Sequence, residues 1–352
     1  MISISFTPVN SETYMRRCLE LAENGLGNVA PNPLVGCVIV HKDRVIGEGY
    51  HREFGRAHAE VNAIESVKDV SLLTESTLYV NLEPCSHHGK TPPCADLILS
   101  KKIPRVVIGQ MDPNPEVAGN GIKKLEAAGV EVRQGVLEEE SKFLNRRFNT
   151  FHIKKRPFII LKWAESSDGF VDVDRSSDKR EINWISHPNT QKLSHSWRAQ
   201  EKAILTGSRT INLDNPSLTT RACPGNNPLR IVLERINEIR SDSQVLTDAH
   251  PTLIFNPLKS QKHGNKEWVQ NPTGDDLHFI LSELYARNIQ SVIVEGGPAI
   301  HAAFINSANW DEARIIKSKK RIGSGLPAAP LNVNFSESYS YGADLIQTAY
   351  NS

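Results

Sequence analysis

Two short segments, His58-Ala59-Glu60 and Pro84-Cys85-Ser86-His87-His88-Gly89-Lys90-Thr91-Pro92-Pro93-Cys94, carry side chains that do chemistry only together. Any fold open to this chain must bring them to one point. One His and two Cys are the donor set of a hydrolytic zinc site: His58, Cys85 and Cys94. Three protein ligands leave the fourth tetrahedral position to a water that ionises near neutral pH. Glu60 follows His58 by two residues and shares its helical turn, so it can move the water's proton without binding metal. Two blander readings stay open. Zinc could be structural, with His87 or His88 as fourth ligand, or the cysteines could pack in a core without metal.

Periodicity predicts how the segments are carried. Residues 11–25 read as a helix capped by Ser11, with Tyr14, Met15, Cys18, Leu19 and Ala22 on one face and Gly25 at its end. Residues 34–40 and 45–49 read as strands joined by a tight turn. Helix 59–67, strand 77–82, helix 94–100, strand 105–109, helix 119–128 and strand 130–132 follow. A hairpin followed by β-α repeats predicts a mostly parallel sheet with helices on both faces. His58 and Cys94 then open helices and Cys85 follows a strand, where α/β sheets collect ligands. Residues 145–156 are polar and basic and end at Pro157, so the domain boundary is placed here, with domains at 1–150 and 151–352. The second part predicts strands at 158–163, 202–206, 229–233, 252–255, 291–295 and 313–317. Its helices fall at 189–198, 276–287 and 298–306, and residues 169–181 and 258–274 read as loops. It is a second α/β domain.

At 352 residues the chain has room for two cores. A formal charge of +1, with acids and bases interspersed, argues against a nucleic-acid surface. Apolar runs stay short of the ~20 residues a membrane span needs. The N-terminal residues 1–6 lack the form of a signal peptide. Five cysteines are an odd, sparse set rather than a disulfide framework. Cys18 and Cys37 are expected in the core, and a reducing cytoplasm is the expected setting.

The order H-x-E then P-C then C marks zinc deaminases that act on nucleobases. The long spacing from Cys85 to Cys94 narrows this further. That segment resembles the bifunctional riboflavin-biosynthesis deaminase/reductase family. So do Pro31-Asn32-Pro33-Leu34-Val35-Gly36, Gly49-Tyr50-His51, Asp112-Pro113-Asn114-Pro115 and Val117-Ala118-Gly119-Asn120-Gly121. The resemblance implies a cytidine-deaminase-like three-layer α/β/α domain with one zinc ion on His58, Cys85 and Cys94 and Glu60 as proton shuttle. Its implied reaction is deamination of 2,5-diamino-6-(5-phosphoribosylamino)pyrimidin-4-one. Asn32, His51, His87, Lys90, Asp112 and Asn114 match substrate-binding positions.

In the second half, Lys162-Trp163-Ala164-Glu165, Trp184-Ile185-Ser186, Arg198-Ala199-Gln200, Leu213-Asp214-Asn215-Pro216 and Val294-Glu295-Gly296-Gly297-Pro298 resemble the same family's reductase domain. A dihydrofolate-reductase-like α/β fold is implied, with NADPH reducing the ribosyl group to ribityl. The implied cofactor contacts are Ala164, Trp184, Thr210, Asp214, Gly297, Pro298, Ala299 and Ile300. Arg198, Leu218, Arg221 and Glu295 match substrate contacts, and Lys162 lies at the reaction centre. Read alone, Gly296-Gly297 would be an ordinary turn; in this context the two glycines and the following helix form a phosphate cradle. The chain departs from the family at Ser167, at Ile182, at Asn215 and in the long charged stretch 170–183. The expected partners are a small phosphorylated pyrimidine and further copies of the chain, a homo-oligomer, with no nucleic acid or membrane. The competing readings are another zinc deaminase fused to a non-catalytic binding domain, and a zinc-stabilised interaction protein.

Overall fold

Strands buried on both faces are built from continuous apolar runs, and both halves of the chain contain them. The computed structural model describes residues 8–86, 92–115, 117–175, 180–272 and 276–351. It divides into two units, Met1–Lys155 and Arg156–Ser352.

The first unit runs α1 (Pro8–Glu23), β1 (Gly36–His41), β2 (Arg44–Tyr50), α2 (Ala59–Glu65), β3 (Thr77–Leu82), α3 (Cys94–Ser100), β4 (Arg105–Gln110), α4 (Asn120–Ala127), β5 (Glu131–Arg133), α5 (Glu138–Leu144) and α6 (Arg146–Lys154). Its sheet has the order β2-β1-β3-β4-β5. Successive side chains take opposite faces. Cys37, Ile39, Leu78, Val80, Val106 and Ile108 pack under α2, α3 and α4. Val38, Val40, Tyr79 and Val107 meet Met15 and Cys18 of α1. The result is three layers, with Cys18 and Cys37 fully buried as expected.

The sheet is less parallel than its sequence pattern suggests. β1 is antiparallel to both β2 and β3, and only β3-β4-β5 is parallel. The β1–β2 turn is made by Lys42 and Asp43, both at positive φ, in place of the Asn-Gly pair that marks such turns. Helix α1 begins at Pro8, so Ser11 lies inside it and does not cap it. The basic stretch after Leu144 is a helix, not a linker, because Phe148 and Phe151 put an apolar stripe on it and are buried. The expected boundary at 150/151 falls inside α6. Two glycine contacts aim the functional segments. Gly49 lets α2 lie directly on β2, where a Cβ would overlap the backbone of Ala59 and Ala63. Gly121 lets the start of α4 touch Pro84, whose carbonyl oxygen a Cβ would strike.

The second unit runs β6 (Phe158–Glu165), β7 (Phe170–Val173), α7 (Pro188–Gln200), β8 (Ala203–Gly207), α8 (Ser208–Asp214), β9 (Leu229–Leu233), α9 (Gln244–Thr247), β10 (Thr252–Asn256), β11 (Gln261–His263), β12 (Lys266–Gln270), α10 (Leu277–Ala286), β13 (Ser291–Val294), α11 (Pro298–Asn306), β14 (Glu312–Lys317), β15 (Gly325–Pro327), β16 (Glu337–Tyr341) and β17 (Asp344–Tyr350). Its large sheet is ordered β11-β12-β10-β9-β8-β13-β6-β14-β17-β16. The strands from β12 through β14 are parallel neighbours. Ile159, Leu161, Val292 and Val294 face α10 and α11. Phe158, Ile160 and Ile293 face α7, α8 and α9. The stretches expected as loops contain β7, β11 and β12. β11 is exposed throughout and carries no apolar alternation to reveal it.

A buried charge cluster ties the starts of β9 and β12 to the residue that follows α9. Arg230 is 1% exposed and grips Asp248 at 2.7 and 2.5 Å, and Lys266 Nζ donates to the same carboxylate at 3.3 Å. Burial pushes the Asp248 carboxyl up, but Arg230 outweighs it and holds the pKa at about 2. The pair's contribution is therefore present above pH ~4 and lost as pH falls toward 2. Asp248→Asn should lower the unfolding free energy at neutral pH by about 3 kcal/mol, because Arg230 stays buried and unpaired. It should also flatten the acid limb of a pH-resolved urea titration. Gly121→Ala should lower both the melting temperature and the zinc content, as it must push α4 off Pro84.

Candidate active sites

β3 delivers the first site. Beyond Leu82 the chain turns through Glu83 and Pro84 to Cys85, while Cys94 opens α3 and His58 caps α2. His58 Nδ1 lies 3.7 Å from Cys85 Sγ and 3.4 Å from Cys94 Sγ, and the three donor atoms lie within 4.8 Å of one another. A tetrahedral zinc with bonds of about 2.3 Å to sulfur and 2.0–2.1 Å to nitrogen requires sulfur and nitrogen about 3.5 Å apart. The donor set fits that ion. The Cys94 backbone N–H points at Cys85 Sγ at 3.3 Å. Hydrogen bonds from Cys94 and His58 hold the Cys85 thiol down, to about 4, against burial. The bond to Cys85, then burial, pushes the Cys94 thiol up.

Glu60 is 3% exposed in the first turn of α2. Burial, then the charge of Cys85, raises its pKa. Asn32 and His51 come to the same place. Asn32 Nδ2 meets His51 Nε2 at 3.0 Å, and the His51 and His58 rings are 5.3 Å apart, edge to face. His51 Nδ1 lies 3.0 Å from the Ala57 carbonyl and must donate to it, so Nε2 accepts from Asn32. Burial lowers the His51 pKa and keeps this neutral tautomer. His87 and Lys90, with the structural-zinc alternative that rests on His87 or His88, lie outside the described residues.

Sequence reasoning missed three residues that hold the site. Glu83, 4% exposed, accepts backbone N–H bonds from Asp112, Gly119, Gly121 and Ile122 at 2.9–3.3 Å. It fixes the Asp112 loop and the start of α4 against Cys85, and its carboxylate suits a helix N-terminus. Asn114 N then bonds Asp112 Oδ1 at 2.8 Å. Asn81 and Asn145, both buried, bond Gly36 N and Leu34 N at 2.8 Å and share the Leu34 carbonyl, which fixes the segment after Asn32. The one available signal was polar residues inside apolar stretches, as at Asn81.

The second site stands at the ends of β6 and β13. Arg198, in the last turn of α7, clamps Glu295 through Nε and Nη2, each at 2.7 Å, and Lys162 Nζ reaches the same carboxylate at 3.4 Å. Burial pushes the Glu295 carboxyl up, but Arg198 and Lys162 prevail and hold it at about 2. Burial lowers the Lys162 pKa, with Glu295 opposing. Leu218 is buried at φ 53°, and Arg221 is exposed with Nη1 on Ser217 Oγ at 2.9 Å.

Beside this cluster α8 and α11 start directly after the neighbouring strands β8 and β13. Gly297 caps α11 with no side-chain hydrogen bond, and a Cβ there would meet nothing within 4 Å. Ile300 fills the space beside Gly207 and Gly296. The open N-terminus of α11 suits a dinucleotide phosphate. Pro298 and Ala299 open α11, Thr210 and Asp214 lie on α8, and Ala164 lies near the end of β6. Trp184 is 49% exposed, and its carbonyl accepts from Lys320 Nζ at 3.1 Å. The charged stretch is tied to α8: Arg175 pairs with Asp214 at 2.8 Å and Asp172 at 2.7 Å, and Arg180 Nε bonds the Asn212 carbonyl at 3.2 Å. Asn215 holds the left-handed C-cap of α8 at φ 43°, a conformation that Asn tolerates. Ser167 Oγ bonds the Lys320 carbonyl at 3.3 Å, and Ile182 is exposed.

Known proteins share both halves. The family model of the cytidine and deoxycytidylate deaminase zinc-binding region matches residues 8–110, and that of the RibD C-terminal domain matches residues 157–346. The riboflavin biosynthesis protein RibD of Aquifex aeolicus is 37% identical over 92% of this chain and 90% of its own length. That of Escherichia coli is 34% identical over 90% and 89%. The crystal structure of a diaminohydroxyphosphoribosylaminopyrimidine deaminase/5-amino-6-(5-phosphoribosylamino)uracil reductase from Thermotoga maritima is 37% identical, with a TM-score of 0.87 over 98% of this chain and 99% of its own. A match across the second half leaves an unrelated binding domain unsupported. The chain belongs to the RibD family of riboflavin biosynthesis, bifunctional enzymes that join a zinc-dependent deaminase to an NADPH-dependent reductase.

Proposed function

We propose that the first site deaminates 2,5-diamino-6-(5-phosphoribosylamino)pyrimidin-4-one and that the second reduces the ribosyl group of the product to ribityl. The carrying observation is the convergence of His58, Cys85 and Cys94 with Glu60 buried in the same helical turn. When bound, zinc supplies the Lewis acidity that makes a water nucleophilic at neutral pH. Glu60 accepts the attacking water's first proton and gives it to the pyrimidine ring nitrogen, then takes the second proton from the added hydroxyl and gives it to the amine as the C–N bond breaks and the carbonyl forms, since ammonia leaves well only when protonated. A carboxyl with a raised pKa suits both acceptance and return. Asn32, positioned by His51, reads the ring, with Asp112 and Asn114 from the loop that Glu83 anchors. His87 and Lys90 complete this substrate set, Lys90 as a point charge for phosphate.

In the second site, NADPH supplies the hydride when bound. Ala164, Trp184, Thr210, Asp214, Gly297, Pro298, Ala299 and Ile300 hold it in this reading, with the start of α11 facing a phosphate. Arg198, Leu218, Arg221 and Glu295 hold the substrate. Lys162 Nζ, kept in place by Glu295, stabilises negative charge on the sugar oxygen as the ring opens. Among the described residues no helix is long and apolar enough to cross a membrane, and all five cysteines are free. The free thiols support a reducing, cytoplasmic setting. A homo-oligomer belongs to the same proposal and is read by sedimentation.

Zinc-loaded protein given the diaminopyrimidine and NADPH should release one ammonia and oxidise one NADPH per substrate. Ammonia without NADPH loss would remove the reductase half. Glu60→Gln should slow deamination by about 10²–10⁴-fold while zinc stays near one per chain; unchanged deamination would return the zinc to a structural role. Glu295→Gln should cut NADPH oxidation and leave ammonia release intact, because it strands Lys162 and Arg198 together in a buried site.

A further inference from the structure

The charged stretch 170–183, where the chain departs from its family, converges on one side chain. Arg175 is only 11% exposed along that side chain. Its Nε donates to Asp172 Oδ2 at 2.7 Å and its Nη1 to the Glu181 carbonyl at 2.7 Å. Asn183 Nδ2 donates to the other Asp172 oxygen at 3.3 Å. One guanidinium and one carboxylate thus join the two ends of the stretch. The joined stretch is seated on the last turn of α8. Glu181 N donates to the Leu213 carbonyl at 3.1 Å and Arg180 Nε to that of Asn212 at 3.2 Å. These carbonyls end the helix and need donors from outside it.

The remaining arm of the fork, Nη2, faces Asp214 Oδ1 at 2.8 Å. Oδ1 is buried, and no hydrogen bond is aligned on it among the described residues, so the charge of Arg175 is what compensates it. Burial pushes the Asp214 carboxyl up, and Arg175 draws it down. The Asp214 side chain as a whole is 27% exposed, so the oxygen a ligand can reach is Oδ2. An ionised carboxylate only accepts hydrogen bonds, and a dinucleotide offers it ribose hydroxyls.

We propose that Arg175 is a positioning residue of the reductase: it holds Asp214 charged and in place against the stretch 172–183, and so sets the affinity for NADPH without touching the pyrimidine. This rests on the reading above that puts NADPH against Asp214.

Arg175→Met removes the charge at similar length, Arg175→Lys keeps the charge without the fork, and Asp214→Asn removes the carboxylate. NADPH binding is titrated calorimetrically in the absence of pyrimidine. Steady-state rates are taken with 5-amino-6-(5-phosphoribosylamino)uracil supplied directly, alongside melting temperatures. Arg175→Met should raise both the Kd and the KM for NADPH about tenfold, with kcat and the KM for the pyrimidine unchanged. Arg175→Lys should raise them about threefold. Placed in Asp214→Asn, either change should add nothing, because its partner is gone. Where Arg175→Met melts below the assay temperature, Arg175→Lys in the two backgrounds gives the same comparison. Losses that add to that of Asp214→Asn, equal losses for Met and Lys, a loss that falls on the pyrimidine as well, or an unchanged Kd would overturn the proposal. If wild type binds no NADPH, or Asp214→Asn binds it as wild type does, the reading of the cofactor site fails and this inference with it. If Asp214→Asn weakens NADPH and Arg175→Met does not, only this inference fails.

Discussion

One carboxylate organises the first unit. Glu83 leaves the end of β3 and gathers four backbone N–H groups from two separate segments. Without it the start of α4 and the Asp112 loop would present buried, unpaired donors beside the metal ligands. With it, Cys85 emerges from β3 onto a surface that cannot shift. The close approach at Gly121 exists because Glu83 draws α4 down onto Pro84. The three donor atoms meet because their supports are held first.

The second unit places a carboxylate at the equivalent station, one residue past the end of an internal strand, and uses it differently. Glu295 follows β13 as Glu83 follows β3. Its partners are the side chains of Arg198 and Lys162 rather than backbone amides. Amide partners make Glu83 a fixed brace. Cationic partners make Glu295 the counter-charge of a centre with excess positive charge, which suits a developing oxyanion. Both sites lie at the carboxyl ends of strands, as α/β sheets favour.

Strands buried on both faces were legible because apolar runs mark them, and β3, β9, α3 and α11 fall where periodicity places them. The hairpin turn at Lys42-Asp43 was legible, but that β1 also pairs antiparallel with β3 was not, because that pairing leaves no mark in the apolar pattern of either strand. Helix α6 was hidden because Phe148 and Phe151 are its only buried apolar residues within a basic stretch. At the sites, His58, Glu60, Cys85 and Cys94 could be read because metal chemistry restricts residue type. Glu83, Asn81 and Asn145 could not, because an acceptor for a backbone N–H can come from many residue types anywhere in the chain. The pairing of Arg175 with Asp214 was invisible for the same reason: any nearby cation would serve.

The clamp on Leu34 spans 111 residues, from the loop after Asn32 to Asn145 at the junction of α5 and α6. Synthesis proceeds from the N-terminus, so residues 31–36 leave the ribosome long before the side chain that holds them. The sheet and the donor set of His58, Cys85 and Cys94 are complete by residue 133, yet residues 31–36 gain their last anchor only at Asn145. A chain that stopped short of Asn145 would keep all three donors and lose one of the two side chains that hold Leu34, so the donor set and this loop depend on different lengths of chain.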